Sequence, residues 1–126
     1  MLRILLVDDV PEWHNLLARV FAGHVFEWAP TAQDAFRMLE EQQFDAVLLD
    51  GKLPGDIDGP ALAKLIRLRF RERGECEPQM FGLTGYPEMT EAFQQAWIPT
   101  LLKGMGVVEM RHVVENLVMQ VTVGAV

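Results

Sequence analysis

Leu2-Arg3-Ile4-Leu5-Leu6-Val7-Asp8-Asp9 begins as a short apolar run and stops abruptly at two carboxylates. Such a run, too short for a helix with one apolar stripe, reads as a strand buried on both faces. Ala46-Val47-Leu48-Leu49 repeats the pattern and ends at Asp50, and Gln79-Met80-Phe81-Gly82-Leu83 ends at Thr84-Gly85. Ile98-Pro99-Thr100-Leu101-Leu102 ends at Lys103, while Val25-Phe26-Glu27-Trp28 is a further short strand.

Helical spacing fills the intervals. Trp13, Leu16, Leu17, Val20 and Phe21 form one stripe, which Gly23 can terminate. Thr31, with Asp34 three residues on, is placed to cap a helix whose stripe is Ala32, Ala35, Phe36 and Leu39. Pro60 suits the first turn of a helix carrying Leu62, Leu65 and Ile66. A short helix near Glu88–Gln95 is the weakest signal, and the last helix carries Met110, Val113, Val114, Leu117, Val118 and Val121. Its end, Val121 to Val126, contains β-branched residues and a glycine that weaken helix. Five strands alternating with five helices predict an α/β fold, a parallel sheet covered on both faces, with residues 1–126 as one domain.

Composition bounds the function. Half of the 126 residues are hydrophobic, enough for one core, and the net charge of −7 opposes direct nucleic-acid binding. Arg67, Arg69, Arg71 and Arg73 are interleaved with Glu72, Glu75 and Glu77 and read as a solvated helix end. Cys76 is the only cysteine, so no intrachain disulfide is possible. No apolar run approaches the ~20 residues of a membrane span, so neither membrane insertion nor secretion is expected and a cytoplasmic site is the default.

The polar residues that end the strands carry the chemistry. Ligands of open α/β sheets bind beyond the carboxyl ends of the strands, so Asp8, Asp9, Asp50, Thr84 and Lys103 are expected to converge. Three carboxylates there repel one another unless a divalent cation relieves them. An all-oxygen set without His or Cys favours Mg²⁺ over zinc. A carboxylate also serves as a nucleophile, forming an aspartyl phosphate. Asp50, central in the sheet, is the natural acceptor; Asp8 and Asp9 are better placed as metal ligands, with Thr84 and Lys103 supplying a donor and positive charge.

In this order, Asp8-Asp9, Asp50 with Pro54 and Asp58-Gly59, Leu83-Thr84-Gly85 and Lys103 resemble the receiver domain of bacterial two-component response regulators. The resemblance covers essentially the whole chain. It implies a doubly wound (βα)₅, flavodoxin-like sandwich with sheet order 2-1-3-4-5. It implies that Asp50 is the phosphoacceptor, that Asp8, Asp9 and Asp50 bind Mg²⁺ with the backbone carbonyl of Lys52, and that Thr84 and Lys103 are the switch hydroxyl and the site lysine. The implied donor is a sensor histidine kinase or a histidine phosphotransfer protein. The implied output is a downstream protein target, or a homodimer, engaged through the fourth helix, fifth strand and fifth helix. On this reading the chain is a phosphoacceptor signalling domain rather than an enzyme acting on a free substrate.

Several positions depart from the family's pattern. The loop Leu53 to Gly59 is one residue longer than usual, Thr100 stands where an aromatic switch residue is expected, and Gly104 follows the lysine in place of proline. A trans Lys103–Gly104 bond is expected, because a cis bond before a non-proline residue costs about 2.5–4 kcal/mol. Tyr86 and Trp97 are the aromatic candidates for the switch role, although packing is the preferred reading for each. Lys52 has phosphate or Asp56 as candidate partners, against a plainly solvent-facing reading, and Tyr86 is a candidate shield of the acyl phosphate. These departures motivate a second reading, a pseudo-receiver that binds partners without phosphorylation. A small Mg²⁺-dependent phosphotransferase acting on a metabolite is a third, weakened by the lack of a recognisable lid. His14 reads as a surface residue, and Trp13, Trp28 and Trp97 as packing.

Overall fold

The strands and helices alternate without exception: β1 (Arg3–Val7), α1 (Pro11–Val20), β2 (Val25–Ala29), α2 (Ala32–Glu41), β3 (Ala46–Asp50), α3 (Gly59–Glu72), β4 (Gln79–Thr84), α4 (Pro87–Gln95), β5 (Thr100–Leu102) and α5 (Val107–Gly124). The structure, a computed structural model, describes residues 1–124, with side chains through Met119. The expected weakening over Val121 to Val126 therefore falls outside the described side chains. The five strands are all parallel in the order β2-β1-β3-β4-β5, the flavodoxin-like arrangement that the resemblance implies.

Period-two alternation divides the buried residues between two cores. Leu5, Val7, Val47, Leu49 and Met80 face one side and pack with Leu39, Leu62, Ile66 and Phe93 of α2, α3 and α4. Ile4, Leu6, Leu48, Phe81 and Leu83 face the other and pack with Leu17 of α1, Phe21 at its C-terminal cap, and Met110 and Val114 of α5. Helices cover both faces, so the strand runs are nearly continuous in hydrophobicity.

Local chemistry sets the helix boundaries. The Asp34 N–H donates to Thr31 Oγ1 at 3.1 Å, as the capping pattern predicts. Asp58 caps α3 by accepting from the Ala61 N–H at 2.9 Å. α4 is present and ends in a Schellman turn, with Trp97 N–H donating to Gln94 O and Ile98 N–H to Phe93 O, both at 3.0 Å. β5 consequently begins at Thr100 rather than at the expected Ile98, because the Ile98 N–H is spent on that turn and Pro99 has none. Leu65 is 38% exposed and sits outside the α3 stripe, whose buried residues are Leu62, Ala63 and Ile66.

Candidate functional site

Register brings the strand-end residues to one rim. Val7 pairs with Leu49, Asp50 with Leu83, and Thr84 with Leu102, so the residues at or just beyond these positions share the carboxyl edge of the sheet. Asp8 is fully buried, Asp50 is 6% exposed and Thr84 1%. One carboxylate oxygen each from Asp8, Asp9 and Asp50 lies within 4.8 Å of the others. Lys103 Nζ stands 3.3 Å from Asp8 Oδ2 and 3.3 Å from Asp50 Oδ1. The four charged side chains thus gather at the ends of β1, β3 and β5, and Thr84 shares their rim by register.

The electrostatics are unbalanced. Three carboxylates face one ammonium, and burial, then the charge of Asp8, pushes the Asp50 carboxyl above its ordinary range. Lys103 and the backbone N–H of Lys52 pull it partly back. Asp8 Oδ1 accepts from the Val10 N–H at 2.9 Å. Its Oδ2 has the Lys103 ion pair but no contact of hydrogen-bond geometry. A buried carboxylate oxygen without a hydrogen bond is rare and fits a cation socket. Ligand bonds of 2.0–2.1 Å place octahedral Mg²⁺ ligands roughly 3–4 Å apart, within the 4.8 Å that bounds this acidic group. The donor set is therefore one able to hold Mg²⁺.

Thr84 Oγ1 accepts from the Tyr86 N–H at 3.0 Å, which ties the hydroxyl to the residue capping α4. A hydroxyl that accepts one bond still has its own hydrogen to donate. Lys52 Nζ lies 3.9 Å from the Tyr86 ring centroid and 3.9 Å from Glu88 Oε1. Lys52 therefore meets Tyr86 and Glu88 rather than Asp56, one of its two candidate partners, and its side chain is half exposed.

Several expectations for the aromatic residues and histidines change. Tyr86 is 50% exposed and Trp97 88% exposed, so neither is a packing residue. Trp97 precedes β5 and lies at the edge of the sheet opposite Asp50, which removes it from the switch role. Thr100 Oγ1 is buried without a hydrogen-bond partner. His14 is not a bare surface residue: its ring stacks on Trp28 at 4.8 Å and on Phe26 at 6.1 Å between centroids. No cis peptide occurs among the described residues, in line with the trans bond expected after Lys103. Arg67 pairs with Glu77, and Arg69 and Arg73 with Glu40, which neutralises the basic helix end locally.

Two tryptophans belong to the site although the sequence reading gave them only packing roles. Trp28 Nε1 donates to the backbone carbonyl of Asp8 at 2.6 Å. The Trp13 ring lies 5.0 Å from Lys103 Nζ. The available signal was positional: Trp13 follows Asp9 by one helical turn, and Trp28 lies one residue before the end of the strand beside the one that leads into Asp8.

A parallel (βα)₅ sandwich with an acidic cluster and a lysine at its carboxyl edge defines the class: a flavodoxin-like α/β domain with a charged site at its strand ends. Residues 4–115 match the response regulator receiver domain family, and the chain belongs to it. The chain is 33% identical over 93 residues to the transcriptional regulatory protein TcrA of Mycobacterium tuberculosis, a match spanning 66% of this chain and 36% of that protein. Among solved structures it resembles the response regulator TrrA of Thermotoga maritima, in complex with Mg²⁺–BeF, at 26% identity and a TM-score of 0.78, covering 93% of this chain and 99% of that one. The receiver domain of a Francisella response regulator shares the fold at 18% identity and a TM-score of 0.78, over 96% of this chain and 99% of that one. No helix among the described residues is long and apolar enough to cross a membrane.

Proposed function

We propose that this receiver accepts a phosphoryl group on Asp50 from a phosphohistidine of a sensor kinase or phosphotransfer protein in the cytoplasm, and passes the change to a protein target. The observation that carries the proposal is the placement of Asp50: 3.3 Å from the Lys103 ammonium and within one acidic cluster with Asp8 and Asp9. In the transfer, a carboxylate oxygen of Asp50 forms a bond to phosphorus as the phosphorus–nitrogen bond of the donor breaks, and the departing imidazole takes up a proton. Asp8, Asp9, Asp50 and the backbone carbonyl of Lys52 would hold Mg²⁺, which supplies positive charge to the phosphoryl oxygens and cancels carboxylate repulsion when bound. Lys103 moves from its two carboxylates to a phosphoryl oxygen, and the Thr84 hydroxyl donates to another.

The Thr84–Tyr86 hydrogen bond gives this movement an outlet. Thr84 Oγ1 holds the Tyr86 N–H at the start of α4, so drawing the hydroxyl inward bears on that helix. Phosphorylation then shifts a pre-existing equilibrium of the α4–β5–α5 face, where a downstream protein or a second copy of the chain docks. Tyr86, beside the pocket and braced by Lys52, is the aromatic placed to shield the acyl phosphate.

The test is intact-protein mass after incubation with acetyl phosphate, with and without Mg²⁺, for wild type and Asp50→Asn. The expected result is a Mg²⁺-dependent phosphoryl adduct that Asp50→Asn abolishes. An adduct that survives in Asp50→Asn, or none in wild type, overturns the reading; the second result leaves a phosphorylation-independent interaction module.

A further inference from the structure

The loop that carries Lys103 is poorly braced. Gly104 and Gly106 have no atom within 4 Å of where a Cβ would stand, so neither is held by close packing. The backbone of Lys103 is fixed by its N–H to Thr84 O at 3.0 Å, and Met105 N–H closes a turn on Leu102 O at 3.0 Å. Beyond that, the ammonium is held by Asp8, Asp50 and the face of Trp13.

These holds are not equivalent. On the proposed function, both carboxylates change partners as metal and phosphoryl group arrive, and the indole does not. Trp13 is anchored independently of the lysine. It packs against the core shared by α1 and α5, and its backbone N–H donates to Val10 O at 3.1 Å. Val10 N–H in turn donates to Asp8 Oδ1 at 2.9 Å. Asp8, Val10, Trp13 and Lys103 therefore form a closed ring of contacts at the first turn of α1.

The geometry points to Trp13 as a positioning residue for Lys103: its π face keeps the ammonium at the mouth of the acidic site while the carboxylates exchange their partners. An aromatic face attracts a cation electrostatically and without a counter-charge of its own. It guides the lysine without adding a fourth acid to a site already rich in them. This inference rests on the phosphoacceptor reading of Asp50 for its purpose, but the contact itself does not.

Two measurements test it. In NMR spectra of the metal-free protein, the side-chain methylene signals of Lys103 should show an upfield ring-current shift that Trp13→Leu removes and Trp13→Phe partly restores. Beryllofluoride affinity in Mg²⁺ should fall about two- to five-fold in Trp13→Leu, the range of a partly exposed cation–π contact, with Trp13→Phe intermediate. In a Lys103→Ala background, Trp13→Leu should have no further effect, which separates positioning from general packing. Unchanged Lys103 signals in Trp13→Leu, or an equal affinity loss with and without Lys103, overturns the inference. Should wild type fail to bind beryllofluoride, the phosphoacceptor reading falls, and the NMR comparison alone decides the positioning role. Trp13→Phe, which keeps an aromatic body in the core, serves should Trp13→Leu fail to fold.

Discussion

A Cβ on Gly59 would lie 2.2 Å from the backbone carbonyl oxygen of Asp50. The N-terminus of α3 thus sits directly on the strand end that presents the carboxylate, and the Gly59 N–H donates to Gly51 O at 3.0 Å. The same Cβ would stand 2.7 Å from Phe93 Cζ. Backbone cannot yield as a flexible side chain does, so Gly59→Ala must push α3 away from β3. The expected loss is roughly 2–4 kcal/mol, the upper range for overpacking a tight site, measured by urea denaturation. Beryllofluoride binding should weaken with it, because Asp50 moves with its carbonyl.

Asp50 is a stability liability at neutral pH. Burial and Asp8 raise its carboxyl above the ordinary value of 3.8, so the fold prefers the protonated form. A raised folded-state pKa means stability is fullest below 3.8 and is lost as pH rises through the folded value. Asp50→Asn removes the charge and should raise the neutral-pH melting temperature by about 2–5 °C without Mg²⁺. The gain should shrink as the pH falls towards and below 3.8, where the wild-type carboxyl takes up its proton. Mg²⁺ should stabilise wild type more than the mutant; a mutant that melts lower than wild type in EDTA would count against this electrostatic account.

His24 and Glu115 join the α1–β2 turn to α5, with Nε2 and Oε2 2.7 Å apart. His24 Nδ1 accepts from the Leu2 N–H at 2.9 Å, so in the neutral ring the hydrogen sits on Nε2 and is donated to Glu115. The His24 hydrogen bond holds the Glu115 carboxyl below its ordinary 4.5; burial opposes it, and Arg111 adds to the lowering. A depressed carboxyl contributes stability above 4.5 and loses it as pH falls through the folded value. Glu115→Gln should therefore be less stable at neutral pH and show a flatter acid limb. Urea midpoints of both proteins over the acid range test this, and parallel curves would refute it.

The strand ends were legible because four of the five strands stop at a polar residue, and parallel topology then gathers those residues whatever their separation in sequence. Cap chemistry at Thr31 was legible for the same local reason. The tryptophan contacts were not, because Trp13 and Trp28 reach the site from neighbouring elements and their spacing matches that of core residues. Gly82 was equally silent: a Cβ there would stand 2.4 Å from the Phe93 ring, a constraint set by α4 crossing β4. Nor does sequence distinguish a packed tryptophan from an exposed one, as Trp97 shows. In each case the missing information is which element lies across from the residue.

Trp97 gives the last prediction a definite sign. It occupies the first position beyond the α4 cap with φ at 60°, the left-handed conformation that favours glycine. An L residue held there is disfavoured by about 1–2 kcal/mol. At 88% exposure the indole returns little packing, whereas the turn itself is secured by buried Ile98 against buried Phe93. Trp97→Gly removes the steric conflict but enlarges the conformational freedom of the unfolded chain, which offsets part of the gain. The net expectation is a stabilisation of about 0.5–1 kcal/mol, seen as a higher urea midpoint with an unchanged slope. Trp97→Ala keeps the left-handed strain and should not reproduce it, so equal effects of Gly and Ala would locate the cause in the exposed indole rather than in the backbone.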